Sequence, residues 1–458
     1  MQAPPFWNLA GEHQKRVIIL NVPITYPPYP VNGVMLTGML TPSLANVFTY
    51  PPELGPALLE TLGNYYINIP WRRYLPSEVF KYIHDVTEAT RARTKYLRHL
   101  METQEWDLTV AIFTEVDWIQ HALWCYLDES DGREILASSK GENIREKAIE
   151  YYRYLDRCIG EILEQVRGPY RLFVVSDHGF GPLLKRVHIN QWLNQQNLLS
   201  YRRVRLSLER MVTLTRKLLK PLDIFDWRSK LREKARTVQY RDTTRDTIDW
   251  SKTRAFSAFR TEQGIYVNMA GRQKQGTVKS IEFDEVREEI IEKLLKLEDP
   301  FTQRPIPLEA FKREDLYQGP FASFAPDILV NSYDAGYPLD DLYHDDIFEP
   351  ATWDSGTGTH RTDGIFIAYG SGINEARHVE NARITDVAPT LMYSMSIPVP
   401  NHMEGKILED VFQETLLEKQ PVEFAEYSSE GIAFKGDVYT QDEEAVVKER
   451  LRGLGYLE

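Results

Sequence analysis

At 458 residues, with 42% apolar and 12% aromatic residues, the chain can bury one large core or two smaller ones. Its formal net charge of −13 argues against general binding of nucleic-acid polymers, although an acidic shell can still surround a cationic metal site. The two cysteines, Cys125 and Cys158, provide neither a disulfide framework nor a zinc-finger spacing. No apolar window has the length of a membrane span and no secretory signal pattern opens the sequence, so we expect a cytoplasmic protein.

Helical and strand-like stretches alternate along the first part of the chain. This alternation predicts an α/β fold with a mainly parallel sheet sandwiched by helices. A loop-rich excursion with one or two helices is predicted over 40–84, where prolines and aromatics show no sustained period. The predicted helices are 5–13, 84–104 and 143–166, and the predicted strands are 16–22, 34–39, 108–114 and 172–175. The third helix carries an apolar stripe of Ile149, Tyr152, Leu155, Ile159 and Ile162.

Residues 200–256 interrupt this pattern, because they are rich in arginine and lysine with helical apolar spacing. They predict either a solvated helical insertion or a basic lid over an anionic ligand. We therefore expect an α/β domain formed by 1–199 and 257–415, the insertion at 200–256, and a C-terminal tail at 416–458 that carries an amphipathic helix. Later predicted elements are buried strands over 264–269, 326–331 and 364–369, and helices over 284–297, 385–395 (with Thr385 as its cap) and 443–458.

The stretch RLFVVSDHGFGP, at 171–182, organises the candidate site. Its apolar run reads as a buried strand, and Asp177 and His178 follow at once, between polar residues and glycines. Chemistry in open α/β sheets lies at the carboxyl ends of strands. An adjacent carboxylate and imidazole, on a turn to which Gly179 and Gly181 give conformational freedom, indicate a metal site. A strand-end turn with a capping aspartate and a surface histidine would have the same sequence pattern.

Two other strand ends carry similar residues. Asp117 and His121 lie four apart in DWIQH, just past the predicted 108–114 strand, a spacing that places both on one side of a helix. His360 lies in SGTGTHRTDG, just before the predicted 364–369 strand. Taken singly, Asp117 and His121 could equally be a surface pair on a helix, and His360 could equally be a loop histidine. Their joint occurrence at strand ends favours a common metal site.

The segments DWIQH, VVSDHGFGP, GTHRTDGIFIAYGSGI and ARITDVAPTLMYSMSIPVPNHMEGKIL resemble the alkaline phosphatase superfamily, in particular type I phosphodiesterase/nucleotide pyrophosphatase-like proteins. The resemblance implies two divalent ions, usually zinc, at the carboxyl edge of the sheet. It places Asp117, His121 and His360 on one ion and Asp177 and His178 on the other. It also implies a small anionic phosphate-ester substrate, attacked in line by a threonine or serine alkoxide, with the leaving oxygen stabilised by metal.

The resemblance also implies a segment that this sequence lacks. In the family, a strand ending in a metal-binding aspartate precedes the nucleophile, whereas no aspartate comes before Asp85 here. We therefore expect a chain without its first strand and nucleophile, shortened by roughly a hundred residues if family proportions hold. The expected consequences are a weak second metal site, open strand edges and little or no hydrolase activity. Thr37-Gly38 and Thr41-Pro42 echo the surroundings of a family nucleophile, but no upstream aspartate strand accompanies them.

Three alternatives stay open at this stage. A phosphoglycerate mutase-like enzyme shares the superfamily metal scheme but needs further ligands and a substrate domain. A sulfatase-like enzyme needs a modifiable cysteine or serine in a setting that Cys125 and Cys158 lack. A non-catalytic remnant would bind a metal or a partner without turnover. The sequence indicates no oligomeric state.

Overall fold

The computed structural model describes residues 3–128, 139–202, 247–258, 263–353, 355–427 and 438–453. These residues form a mixed α/β fold. The predicted insertion lies mostly at 203–246, outside the described residues, and so stays a prediction. Within the described part of the chain, no helix combines the length and the apolar character needed to cross a bilayer.

The helices fall close to the predicted positions wherever the sequence has a clear 3.6-residue period. In chain order they are α1 (Phe6–Glu12), α2 (Leu54–Leu62), α3 (Val79–Thr103), α4 (Glu115–Leu127), α5 (Ser139–Leu163), α6 (Ile189–Gln195), α7 (Phe283–Leu294), α8 (Arg313–Leu316), α9 (Ile384–Ser394), α10 (Glu414–Lys419) and α11 (Gln441–Gly453).

The strands are short and belong to several small sheets. They are β1 (Val17–Val22), β2 (Gly33–Thr37), β3 (Thr49–Tyr50), β4 (Leu108–Ala111), β5 (Arg171–Val175), β6 (Gly179–Pro182), β7 (Lys185–His188), β8 (Ala255–Phe256), β9 (Gly264–Val267), β10 (Glu298–Asp299), β11 (Arg304–Pro305), β12 (Glu309–Lys312), β13 (Ile328–Asn331), β14 (Leu339–Asp340), β15 (Phe348–Pro350), β16 (Gly358–Arg361), β17 (Phe366–Gly370), β18 (Val399–Pro400) and β19 (Phe424–Ala425).

The described residues group into two compact units, and the predicted domain boundaries stay a prediction. Unit 1 comprises 1–182 and 353–458, and unit 2 comprises 183–352. Unit 2 has its own core, which includes Val187, Trp192, Ile265 and Ile290. It also has its own sheet, in the order β12-β13-β9-β8.

The parallel part of unit 1 is built around β1. This strand is buried along nearly its whole length and pairs in parallel with β2 on one side and β4 on the other. Strand β3 adds to β2 in the antiparallel direction. A strand flanked by parallel neighbours and covered on both faces needs apolar residues at successive positions, and VIILNV supplies them.

Strands β5 and β17 form a separate antiparallel pair, and the expectation that both are fully buried was wrong. All residues of β5 are only half-buried. In β17 burial alternates, so that Ile367 and Tyr369 are 54% and 60% exposed, while Phe366 and Ala368 pack against a core. Successive side chains of a strand point to opposite faces, and only one face of this pair is covered.

Two helix details also differ from expectation. Helix α9 is capped by Arg383, whose backbone N–H donates to the Asp386 carboxylate, and Thr385 lies inside the helix. In α5 the predicted stripe is only half-buried. The fully buried side is offset from it and consists of Ile144, Ala148, Tyr151 and Cys158.

Asp299, in unit 2, provides a test of acid stability. Burial would raise the pKa of its carboxyl, but hydrogen bonds from Lys185, the Tyr337 hydroxyl and the backbone N–H of Phe301 outweigh this and lower the pKa from 3.8 to about 2. Because the folded pKa is below the unfolded one, the contribution to stability is fully present above about pH 4 and is lost as pH falls towards 2. The shift corresponds to roughly 2–3 kcal/mol.

We expect Asp299→Asn to lower the melting temperature at pH 6, with a difference from wild type that shrinks steadily between pH 4 and pH 2. Differential scanning calorimetry across this range measures it. Asp410→Asn is the matched control, because Asp410 is 64% exposed and its ion pair with Arg377 lies at the surface. A difference for Asp299→Asn that is independent of pH would contradict the assignment.

Candidate metal centre

Three segments of unit 1, a helix, a turn and a strand, bring the five predicted site residues together. Asp117 and His121 lie on α4, which begins four residues after β4 ends. Asp177 and His178 occupy the turn between β5 and β6, and His360 lies on β16, which pairs with β6. Residues distant along the chain therefore meet where β4 and β5, strands of two different sheets, end.

The distances among these side chains are short. His121 Nε2 lies 3.1 Å from His360 Nε2. Asp117 Oδ1 lies 3.5 Å from His121 Nε2, 3.7 Å from His178 Nε2 and 3.8 Å from His360 Nε2. The side chains of Asp117, His121, His178 and His360 are between 14% and 24% exposed, so that the cluster is largely covered yet reachable.

Backbone carbonyl groups orient two of the imidazoles. His121 Nδ1 lies 3.1 Å from the carbonyl oxygen of Gly358, and His178 Nδ1 lies 3.1 Å from that of Gly179. A carbonyl only accepts, so each Nδ1 is the donor, and in the neutral ring this leaves Nε2 as the atom that can bind a metal. Histidines that bind metal are oriented in this way by the hydrogen bond of the other ring nitrogen.

The donor set fits a divalent ion such as zinc. Asp117, His178 and His360 offer one carboxylate oxygen and two imidazole nitrogens that all lie within 4.8 Å of one another. In a tetrahedral zinc site with bonds of about 2.0 Å, neighbouring ligand atoms are about 3.3 Å apart. Within this set, Asp117 Oδ1 lies 3.7 Å from His178 Nε2 and 3.8 Å from His360 Nε2, which is slightly longer than this value.

Asp177 is placed differently from the other four residues. Its side chain is 82% exposed, and its Oδ1 lies 3.6 Å from His178 Nε2. The expectation that Asp177 and His178 hold a separate ion stays a prediction. The structure places His178 against Asp117 and His360 rather than apart from them.

Glycines allow the strands of the site to approach closely. A Cβ atom at Gly179 would lie 1.9 Å from the Asp363 carbonyl oxygen, and one at Gly181 would lie 2.3 Å from Arg361 Nε. A Cβ atom at Gly358 would lie 2.4 Å from the Gln120 carbonyl oxygen of α4. These contacts hold His178 and His360 beside α4, and they explain the glycine-rich turns of the sequence.

The start of α4 is anchored by a buried ion pair. Arg93 and Glu115 are fully buried, and the guanidinium donates to both carboxylate oxygens, with Nη2 at 2.7 Å and Nε at 2.9 Å from Oε1. Arg93 also donates to the Tyr65 hydroxyl at 2.7 Å. Since Asp117 is two residues further along α4, this pair fixes the position from which Asp117 and His121 project.

Comparison with known proteins agrees with this geometry. The family model described as type I phosphodiesterase / nucleotide pyrophosphatase matches residues 1–364, which is more than half of the 458 residues. The chain belongs to the type I phosphodiesterase/nucleotide pyrophosphatase family. Members act on phosphate esters, and the family depends on metal ions, generally zinc. No curated protein and no solved structure matches the chain.

Two aromatic residues of this phosphodiesterase-family site escaped the sequence reasoning. The Phe180 ring lies 4.8, 5.4 and 5.3 Å from the rings of His121, His178 and His360, so that one phenyl group touches all three imidazoles. Trp71 stacks on His121 at 5.3 Å. Phe180 lies two residues after His178 in HGFG, and this closeness to a candidate ligand was the one sequence feature that pointed to it. Trp71 comes from the loop-rich 40–84 excursion, where no periodicity marks it.

Thr37 and Thr41 have a structural role in the described fold. Both hydroxyls are buried and lie 2.7 Å apart. Thr37 donates to the Phe48 carbonyl and Thr41 to the Gly38 carbonyl. These bonds tie β2 to the turn that follows it, which supports the interpretation that their likeness to a nucleophile motif is superficial.

Proposed function

We propose that this chain binds divalent zinc through Asp117, His178 and His360, with His121 beside them, and that this site serves metal-dependent hydrolysis of phosphodiesters or nucleotide pyrophosphates. The observation that carries the proposal is the group of three imidazole Nε2 atoms around Asp117 Oδ1 at 3.5–3.8 Å. Family membership supplies the reaction class.

The residues of the site have different roles in binding the ion and in shielding it. Bound zinc would act as a Lewis acid towards phosphate oxygens. Asp117 offsets the positive charge, and the carbonyls of Gly358 and Gly179 hold two imidazoles as neutral ligands. Phe180 and Trp71 exclude water from one side of the imidazole cluster, which strengthens the interaction between charges there.

The proposal includes a second ion held weakly by Asp177, and a low activity. None of the five clustered side chains is a hydroxyl, and Asp177 is largely exposed. We therefore propose that the 458-residue chain binds one zinc ion tightly and turns over phosphodiesters slowly or not at all. A non-catalytic, metal-binding role is the second candidate, because the convergent ligand atoms of Asp117, His178 and His360 support metal binding by themselves.

Calorimetric titration of the chelator-treated protein with zinc, followed by an assay with bis(4-nitrophenyl) phosphate, tests the proposal. We expect one tight site per chain and a much weaker second one, with turnover near the blank rate. Absence of any tight site would overturn the metal assignment. Zinc-dependent turnover lost in His360→Ala would instead show that the chain is a competent hydrolase and overturn the proposed low activity.

A further inference from the structure

Unit 1 contains a small polar pocket in the segment that leads into α3. Its volume is about 300 Å³. We call it the Arg73 pocket, and it is lined by Asn68, Ile69, Pro70, Arg73, Tyr74, Glu78 and Lys81. Ligand pockets commonly measure about 300–1,000 Å³, so the Arg73 pocket suits one small chemical group rather than a whole substrate.

Two contacts connect the Arg73 pocket to the candidate metal centre. Trp71 directly follows Pro70 of the pocket lining, and its ring stacks on His121 with the centroids 5.3 Å apart. Tyr74 packs against Tyr82 with the ring centroids 5.2 Å apart, and the Tyr82 hydroxyl donates to a backbone carbonyl of α4 at 2.8 Å. Since neighbouring Cα atoms are about 3.8 Å apart, the pocket wall lies on the order of 10 Å from the imidazole cluster.

The positive charges at the Arg73 pocket have no acidic partner. Neither Arg73 nor Lys81 forms an ion pair with any described residue. The buried guanidinium of Arg450, on α11, donates only to backbone carbonyl oxygens of 39–42. Burial, and in addition repulsion from Arg73, lowers the pKa of Arg450 to about 10. Arg73 therefore lies among cations that no carboxylate neutralises, and a bound anion would remove that repulsion.

Hydrogen-bond donors without a partner also gather here, whereas the acidic groups are already engaged. Glu78 Oε2 accepts a backbone N–H at 2.8 Å, and Asp85 Oδ2 accepts the Tyr74 hydroxyl at 2.8 Å. By contrast, Asn68 Nδ2 in the lining and Nε1 of the adjoining Trp71 are buried and have no hydrogen-bond partner among the described residues. A buried donor without an acceptor costs free energy, so a bound group that accepts hydrogen bonds would be favourable.

We propose that the Arg73 pocket binds a second phosphate group of the same substrate whose ester phosphate lies at the metal centre. This inference rests on the proposed function, because it assigns the pocket to the distal end of that substrate. Arg73 and Lys81 supply the charge, and the Asn68 amide supplies a directional hydrogen bond. A neutral leaving group would leave these cations unpaired. In a chain with a net charge of −13, a local group of unpaired cations also attracts an anion to this one place.

Two probes that differ by one phosphate test the proposal by binding alone. They are hexyl phosphate and hexane-1,6-diol bisphosphate, whose extended chain spans a distance similar to that between the pocket and the metal centre. Calorimetric titration of the zinc-loaded 458-residue chain measures both affinities. We expect the bisphosphate to bind at least about tenfold more tightly than hexyl phosphate, because its two ends bind to one molecule at once. This advantage should shrink as the salt concentration rises.

Substitutions of exposed cations locate the second phosphate. Arg73→Gln, and independently Lys81→Gln, should lower the bisphosphate affinity to nearly that of hexyl phosphate. Arg167→Gln is the matched control, because Arg167 is exposed and precedes β5 at the end of that strand away from the metal centre. It should leave the bisphosphate advantage unchanged.

The outcomes separate this proposal from the proposed function. Equal affinities of the two probes for the zinc-loaded wild type, or an advantage that survives both Arg73→Gln and Lys81→Gln, would overturn the pocket assignment and leave the zinc site intact. Absence of a tight zinc site in the zinc titration would overturn the proposed function itself. Titration of the zinc-free chain with inorganic phosphate distinguishes the source of the anion. Phosphate binding there as tight as that of the bisphosphate to the zinc-loaded chain would assign the pocket to a free anion and overturn its assignment to the substrate.

Discussion

Replacing Glu115 by alanine should lower the unfolding free energy of unit 1 by about 3–5 kcal/mol, the usual cost of breaking a buried ion pair. Arg93 is fully buried, so removal of its partner leaves a guanidinium without the carboxylate that accepts hydrogen bonds from its Nε and Nη2 atoms. The remaining hydrogen bonds to the Tyr65 hydroxyl and the Tyr66 carbonyl offset little of that loss, because both acceptors are neutral. Urea unfolding followed by tryptophan fluorescence measures the change.

Two further variants separate charge from packing. The double variant Arg93→Met/Glu115→Leu removes both charges and retains much of the volume, so it should recover a large part of the lost stability. Glu88→Ala is the surface control, since the pair of Glu88 with Arg91 is partly exposed and should contribute less than about 1 kcal/mol. A loss below about 1 kcal/mol for Glu115→Ala would show that the buried pair does not hold α4 in place.

Replacing His360 by alanine should weaken zinc binding by more than about a hundredfold, because loss of only the hydrogen-bond partner of a metal ligand commonly costs ten- to a hundredfold. His178→Ala should weaken it to the same degree, since His178 Nε2 lies 3.7 Å from Asp117 Oδ1 within the same cluster. Competition with a chromophoric chelator measures both affinities.

Asp177→Ala distinguishes one site from two. Asp177 is 82% exposed and outside the group of three convergent ligands, so its loss should change the tight affinity by less than about tenfold. His378→Ala, a substitution of an exposed histidine outside the five clustered residues, is the control and should have no effect. If His178→Ala and Asp177→Ala affect only a weak second site, the family arrangement with two separate ligand sets holds instead.

The sequence predicted elements best where one local pattern dominated. The apolar run of β1 and the 3.6-residue period of α3 need no long-range information, and both elements lie close to the predicted positions. The five candidate ligands were also named from the sequence, because acidic residues and histidines follow or precede apolar runs at three places. The structure brings the side chains of all five residues close to one another.

Only the tertiary structure could decide which face of a strand is covered, where the units divide and which ligands share a site. Phe366 and Ile367 are adjacent apolar residues, yet one packs in a core and the other is exposed, because burial depends on elements distant in sequence. The grouping of His178 with Asp117, and the contact of Phe180 with three imidazoles, follow from the pairing of β6 with β16. Strand pairing of that kind sets distances between residues far apart in the chain, which residue types and spacing do not encode.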